Sequence, residues 1–136
     1  MAKKNKHKQV LDTVVNFTKV DASPYFKICE NLLDDAKTNC FRINMHQEII
    51  KHLQKSNLSF AEEEPFEITV ILNIDNTGNV SLKDIAYADA FHKQVTVLKK
   101  EITTAIANIP KLNPALKRGI PVATEYKLPI KINTED

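Results

Sequence analysis

Phe66-Glu67-Ile68-Thr69-Val70-Ile71-Leu72-Asn73-Ile74 is the stretch on which the fold turns. Phe66, Ile68, Val70, Leu72 and Ile74 recur at every second residue, so in an extended chain they share one apolar face. Asp75-Asn76-Thr77-Gly78 follows at once and reads as a turn, with Gly78 supplying the positive φ that such turns require. Val80, Leu82 and Ile85 continue into a second strand. Phe66 to Tyr87 is therefore expected to form a β-hairpin.

Beyond the hairpin the period changes. Asp89 is placed to cap a helix. Phe91, Val95, Leu98, Ile102, Ala105, Ile106 and Ile109 follow three-four spacing, which predicts one long helix over about 90–109 with a single apolar face. Pro110 ends it. A loop from Lys111 to Pro121 leads to a last expected strand, Val122 to Ile132. The hairpin and this strand can share a three-stranded antiparallel sheet, with the helix across one face. The expected class is α+β, a two-layer domain.

Before the hairpin the pattern is weaker. Residues 1–9, with Lys3, Lys4, Lys6 and Lys8, read as a solvated basic tail. The alternation Leu11, Thr13, Val15, Phe17 suggests a short half-buried strand. An irregular loop of about 20 residues around Pro24 to Phe41 follows, and a loop that long needs tethering. Asn44 and Gln47 resemble a capping box. They would open a helix carrying Ile43, Gln47, Ile50 and Leu53 and ending near Ser56-Asn57. The expected organisation is a tail over 1–9, an N-terminal extension over 10–60, and the main domain over 61–136.

Composition narrows the function classes. Only two glycines are present, Gly78 and Gly119, so no Gly-rich phosphate loop exists. Lys plus Arg is 19 against 17 for Asp plus Glu, a net charge of +2, and a general nucleic-acid binder carries a clearer basic excess. No stretch approaches the roughly 20 apolar residues needed to span a bilayer. The lysine-rich start is not followed by an apolar run, so it is no secretory signal. As given the chain reads as soluble: either it is cytoplasmic, or a leader or anchor lies outside it.

The residues that carry chemistry elsewhere are sparse. His46, Glu48 and His52 suggest a metal site, but histidines at i and i+6 do not share a helix face, and no metal is expected. Cys29 and His46 lack a third orienting group for a nucleophile. No catalytic residue and no cofactor are expected. Cys29 and Cys40 lie eleven apart without CxxC spacing. Composition leaves two readings open, a loop-closing disulfide or two buried reduced thiols.

Several short motifs together resemble the C-terminal domain of TonB-type energy transducers. They are Ile109-Pro110, Pro114-Ala115, Gly119-Ile120-Pro121-Val122 and the closing Leu128-Pro129-Ile130, with Ile74-Asp75-x-x-Gly78-x-Val80 upstream. Both glycines fall on the family's glycine positions. Val20 to Glu30, followed by Cys40-Phe41, is similar to the segment preceding this domain in Bacteroidetes-type TonB proteins. The resemblance covers roughly residues 14 to 132. Three features depart from it: Leu112 stands at the usual Trp position, Lys27-Ile28 replaces Pro-Gly, and the Tyr-Pro and Gly before the first hairpin strand are missing.

The resemblance implies a periplasmic protein–protein interaction domain, anchored in the inner membrane in the full-length protein, and not an enzyme. It implies strand addition: a TonB box from an outer-membrane TonB-dependent transporter pairs with an exposed sheet edge. The edge expected here is Val122, Ala123, Thr124, Glu125, Tyr126, Lys127, Leu128, Pro129 and Ile130. Pro129 suits an edge because it cannot donate a ladder hydrogen bond. Lys127, Lys131 and Arg118 are candidates to meet acidic peptide residues. An ExbB/ExbD-type inner-membrane motor would act through an N-terminal anchor. Pairing of two open edges into a homodimer is a further expectation. The extracytoplasmic location implies that Cys29 and Cys40 are bridged. Gly78, Pro110, Pro114, Gly119 and Pro121 would be structural. The alternative is a free-standing structural or dimerising module of the same fold.

Overall fold

A computed structural model describes residues 14–55 and 65–132. The expected tail, Leu11 and Thr13 of the first strand, and the helix end at Ser56-Asn57 lie outside the described residues. Within them the elements are β1 (Val14–Asn16), α1 (Asp34–Lys55), β2 (Phe66–Ile74), β3 (Val80–Ala86), α2 (His92–Ala107), β4 (Ala115–Lys117) and β5 (Ile120–Ile132). The class is α+β.

The hairpin forms where the period-two pattern places it. Phe66, Ile68, Val70, Leu72 and Ile74 are all buried, while the alternate positions are half-buried or exposed. β2 and β3 pair antiparallel from Thr69↔Ala86 to Ile74↔Val80, with one irregularity between Ile71 and Leu72. At the turn the Asp75 carboxylate accepts from the Thr77 N–H (2.9 Å), the Thr77 hydroxyl (2.8 Å) and the Asn79 N–H (2.9 Å). Gly78 has φ +91°. Its carbonyl accepts from the Leu112 N–H at 2.9 Å, which docks the turn on the chain leaving α2.

The sheet is larger than the three strands expected. β1, β5, β2 and β3 lie side by side in that order, and β4 pairs with the start of β5. β1 runs parallel to β5, through Val14↔Ala123 to Asn16↔Glu125. β4 and β5 join through Arg118 (φ +53°) and Gly119 (φ +77°), the two positive-φ residues of a tight hairpin turn. The Asp21 carboxylate accepts the Arg118 N–H at 2.6 Å and holds that turn to the N-terminal segment. Backbone bonds between Ala22 and Leu116, and between Tyr25 and Asn113, continue the attachment.

The first helix departs most from expectation. It starts at Asp34, inside the stretch read as an irregular loop, so Cys40 is helical. Asp34 and Asp35 sit in its first turn, where the positive end of the helix dipole favours them. Asn44 is not a cap; it lies mid-helix and donates to the Cys40 carbonyl at 2.8 Å. The buried face is Phe41, Met45 and Ile49, at i, i+4 and i+8. Ile43 is 55% exposed and Gln47 is exposed, so neither belongs to that face.

α2 buries Val95, Leu98, Ile102, Ala105 and Ile106, as its spacing requires. Asp89 does not cap it: a 3₁₀ turn, Asp89–Phe91, leads in, and no side chain caps the helix start. His52 of α1 and Glu101 of α2 meet at 3.2 Å where the helices pack. Phe26, Cys29, Phe41, Met45 and Ile49 lie in the same core cluster as the sheet and α2. The N-terminal segment and the hairpin thus share one core. At its centre Phe41 stands 5.0 Å from Tyr126, 5.6 Å from Phe17 and 5.9 Å from Phe26, ring centroid to ring centroid.

Candidate functional site

The candidate site is built on β5, whose two sides have different fates. One side pairs with β2 from Thr124 to Ile132. The other is covered only at its beginning. There Val122 pairs with Ala115 of β4, and Ala123, Thr124 and Glu125 pair with β1. After Asn16 the chain turns away through a 3₁₀ turn, Phe17–Lys19. From Tyr126 to Ile132 the outer side of β5 has no strand beside it among the described residues. The expected edge of Val122 to Ile130 is therefore corrected: Val122, Ala123, Thr124 and Glu125 are already paired, and the open part begins at Tyr126.

Proline fixes which backbone groups face outward. Thr69 and Pro129 are opposite each other on β2 and β5. Pro129 has no N–H, so this pair cannot be one of the doubly hydrogen-bonded kind. It is a non-hydrogen-bonded pair, and the backbone of Pro129 points away from β2. By the alternation of an antiparallel ladder, Lys127 and Lys131 also point their N–H and C=O groups outward. The open edge thus offers donors at Lys127 and Lys131, acceptors at Lys127, Pro129 and Lys131, and a missing donor in the middle. Their side chains are exposed, whereas Tyr126, Leu128 and Ile130 are buried in the core.

A cavity of about 530 Å³ lies where the open edge begins. Phe17 and Thr18 reach it from the 3₁₀ turn, Arg42 from α1 and Lys83 from β3, with Glu125, Tyr126 and Lys127 from β5. Lys83 and Glu125 are paired at 2.6 Å, across β2. That hydrogen bond from Lys83, with the positive charges of Lys83 and Lys127, holds the Glu125 carboxyl below its ordinary value. Burial pushes the Tyr126 phenol above its ordinary value, against the opposing charge of Arg42. The Arg42 guanidinium lies 5.6 Å from the centroid of the Phe17 ring. Among the described residues neither Arg42 nor Lys127 is ion-paired.

The other expected site residues are scattered. Arg118 is exposed in the β4–β5 turn, at the far end of β5 from the open edge. Pro110 and Pro121 are exposed and Pro114 is half-buried; Pro110 and Pro114 lie on the chain between α2 and β4, and Pro121 is the second residue of β5. His46 is exposed and His52 meets Glu101 instead of a metal partner. Phe17, Thr18 and Arg42 went unmarked in the sequence as neighbours of β5. They lie some eighty or more positions away from Tyr126, and no local pattern signals that proximity.

Cys29 and Cys40 are joined by a disulfide with Cα atoms 6.0 Å apart. It ties a 3₁₀ turn, Lys27–Cys29, to α1 just beside Phe41. The Asn44 amide nitrogen lies 3.5 Å from the Cys40 sulfur and 3.9 Å from that of Cys29. The bridge thus holds the N-terminal segment to the helix that supplies Arg42. Comparison with protein-family profiles, with curated proteins and with solved structures finds no match to this chain.

Proposed function

We propose that this chain is a protein–protein interaction domain that takes up an extended peptide as an added strand along the outer side of β5. We propose further that it is the periplasmic coupling domain of a TonB-like energy transducer, whose peptide partner is the TonB box of an outer-membrane transporter. The observation that carries the reading is the open edge from Tyr126 to Ile132, beside a stretch of the same strand that already accepts β1 as a neighbour. Backbone pairing gives such an edge affinity with little demand on sequence. The motif resemblance and the Cys29–Cys40 bridge, a kind of bond that persists outside the reducing cytosol, support the location.

The test is an NMR titration of the labelled chain with TonB-box peptides from transporters of the same genome. Strand addition shifts the Lys127 and Lys131 amides and slows their exchange with solvent. No shift on β5 with any peptide at millimolar concentration would overturn it. A specific feature favours a second use, as a dimerising module: the outer side of β3 also has no partner strand among the described residues. Sedimentation of the chain alone separates the two, since a dimer held by β3 forms without peptide.

A further inference from the structure

β3 borders the sheet on the side away from β5, and its outward backbone groups are out of step with one another. Thr69 and Pro129 form a non-hydrogen-bonded pair, so the N–H and C=O of Thr69 point the other way, toward Ala86 of β3. The alternation then makes Ile71 and Asp84 a hydrogen-bonded pair. It leaves Ile85, opposite Val70, with its backbone groups facing outward. One step on, Leu72 is opposite Leu82 rather than Lys83. Lys83 is thus an extra residue, and Lys83 and Asp84 together oppose Ile71 as a β-bulge. Past the bulge, Leu82 and Val80 face outward, opposite Leu72 and Ile74.

A straight strand added to β3 needs an outward residue at every second position. Val80 and Leu82 keep that step, and Asp84 would be next. Asp84 faces β2 instead, and the outward residue is Ile85. A partner in register with the first two is therefore out of register with the third. The Ile85 donor is also taken, because the Asp84 carboxylate accepts its N–H at 2.8 Å. Lys83 and Asp84 are both exposed, and charges at a border strand discourage pairing. The 2.6 Å bond from Lys83 to Glu125 reaches across β2 and ties the bulge down. β5 has no such slip. It pairs with β2 from Phe66↔Ile132 to Ile74↔Thr124 without interruption, so Lys127, Pro129 and Lys131 keep the two-residue step.

We propose that the sheet receives a partner on one side only. β5 takes a single extended peptide, and the Lys83 bulge with the Asp84 carboxylate closes β3 to any added strand, the β3 of a second copy included. The choice of β5 rests on the strand-addition reading. The closure of β3 stands apart from it and removes β3 as a dimer contact. The consequence is a stoichiometry of one peptide per chain.

The test combines amide hydrogen exchange with sedimentation on the full chain, alone and with the transporter peptides. In wild type the exchange of Val80 and Leu82 should change neither with protein concentration nor with peptide. Ile85, whose N–H is bonded, should exchange more slowly than either. Deleting Lys83 together with Asp84→Thr brings Val80, Leu82 and Ile85 into step and frees the Ile85 donor. That variant is expected to dimerise or to bind a second peptide, with exchange slowed along β3. Asp84→Thr alone keeps the slip, so Ile85 should exchange faster and β3 should stay unpaired; this holds the proposal to account if the deletion prevents folding. Concentration- or peptide-dependent protection of Val80 and Leu82 in wild type would overturn the closure, and so would pairing at β3 in Asp84→Thr. A folded deletion variant that leaves β3 unprotected would overturn the bulge as its cause. No peptide effect on β5, with β3 still unresponsive, would overturn strand addition and leave the closure standing.

Discussion

At Gly78 the reason for a glycine is direct. Its φ is +91°, and a Cβ built there would stand 1.8 Å from the Leu112 carbonyl oxygen. Neither backbone can give way, since the two are joined by the bond from the Leu112 N–H to the Gly78 carbonyl. Gly78→Ala is expected to cost at least about 1–3 kcal/mol from backbone strain alone, read as a lowered urea midpoint. Gly119 offers the contrast: its φ is +77° but nothing lies within 4 Å of an added Cβ, so Gly119→Ala should be the milder change. Asp75 in the same turn carries a pH signature. Burial raises its pKa, but the hydrogen bonds from Asn79 and Thr77 outweigh this and hold the carboxyl below its ordinary value of 3.8. A lowered folded-state pKa stabilises the protein above the unfolded value, and that contribution disappears as pH falls through the folded one. The fall in melting temperature between about pH 5 and pH 3 should accordingly be shallower in Asp75→Asn than in wild type.

Among the elements, α1 depends on a clasp outside itself. The Cys29–Cys40 bridge closes a loop of eleven-residue separation, and chain entropy assigns such a closure about 3 kcal/mol. Urea unfolding with and without reductant measures this: a drop near that size is expected, and unchanged stability on full reduction would refute the clasp. The elements also show what could be read in advance. β2 and α2 were legible because each buries a single face against the core, so period two and three-four spacing survive undiluted in the residues. α1 was only half legible. Phe41, Met45 and Ile49 do carry the helical spacing, but the exposed Ile43 draws the eye to the wrong face. The polar run before Phe41 looks like loop, because the bridge and the helix-start aspartates hold it as much as any apolar pattern does. β1 and β4, three residues each, form because β5 lies beside them. Strands so short bury too little to leave a pattern of their own. The same reason hid the candidate cavity. Tyr126 and Lys127 were marked with the edge and Arg42 was not, since its nearness to them follows from how α1 crosses the sheet.

Taken as one body, the molecule joins its two ends through a single core. Phe17 and Phe41 from the first part pack on Tyr126 from the last strand, and Phe26 packs on Phe41. Unfolding should therefore be one cooperative step, with far-ultraviolet circular dichroism and the near-ultraviolet tyrosine signal losing structure at the same denaturant concentration. Separate transitions would mean that residues 14–55 and the hairpin domain hold together independently.

Pro129 has a consequence for lifetime. Its ring stands in the middle of the open edge and interrupts the row of donors between Lys127 and Lys131. A strand laid there is held by two short runs of bonds, each of which can let go without waiting for the other. Such a partner comes away in stages from either end, which favours rapid turnover over a permanent grip. Restoring the missing N–H with Pro129→Val should lengthen the residence time of a strand laid on this edge.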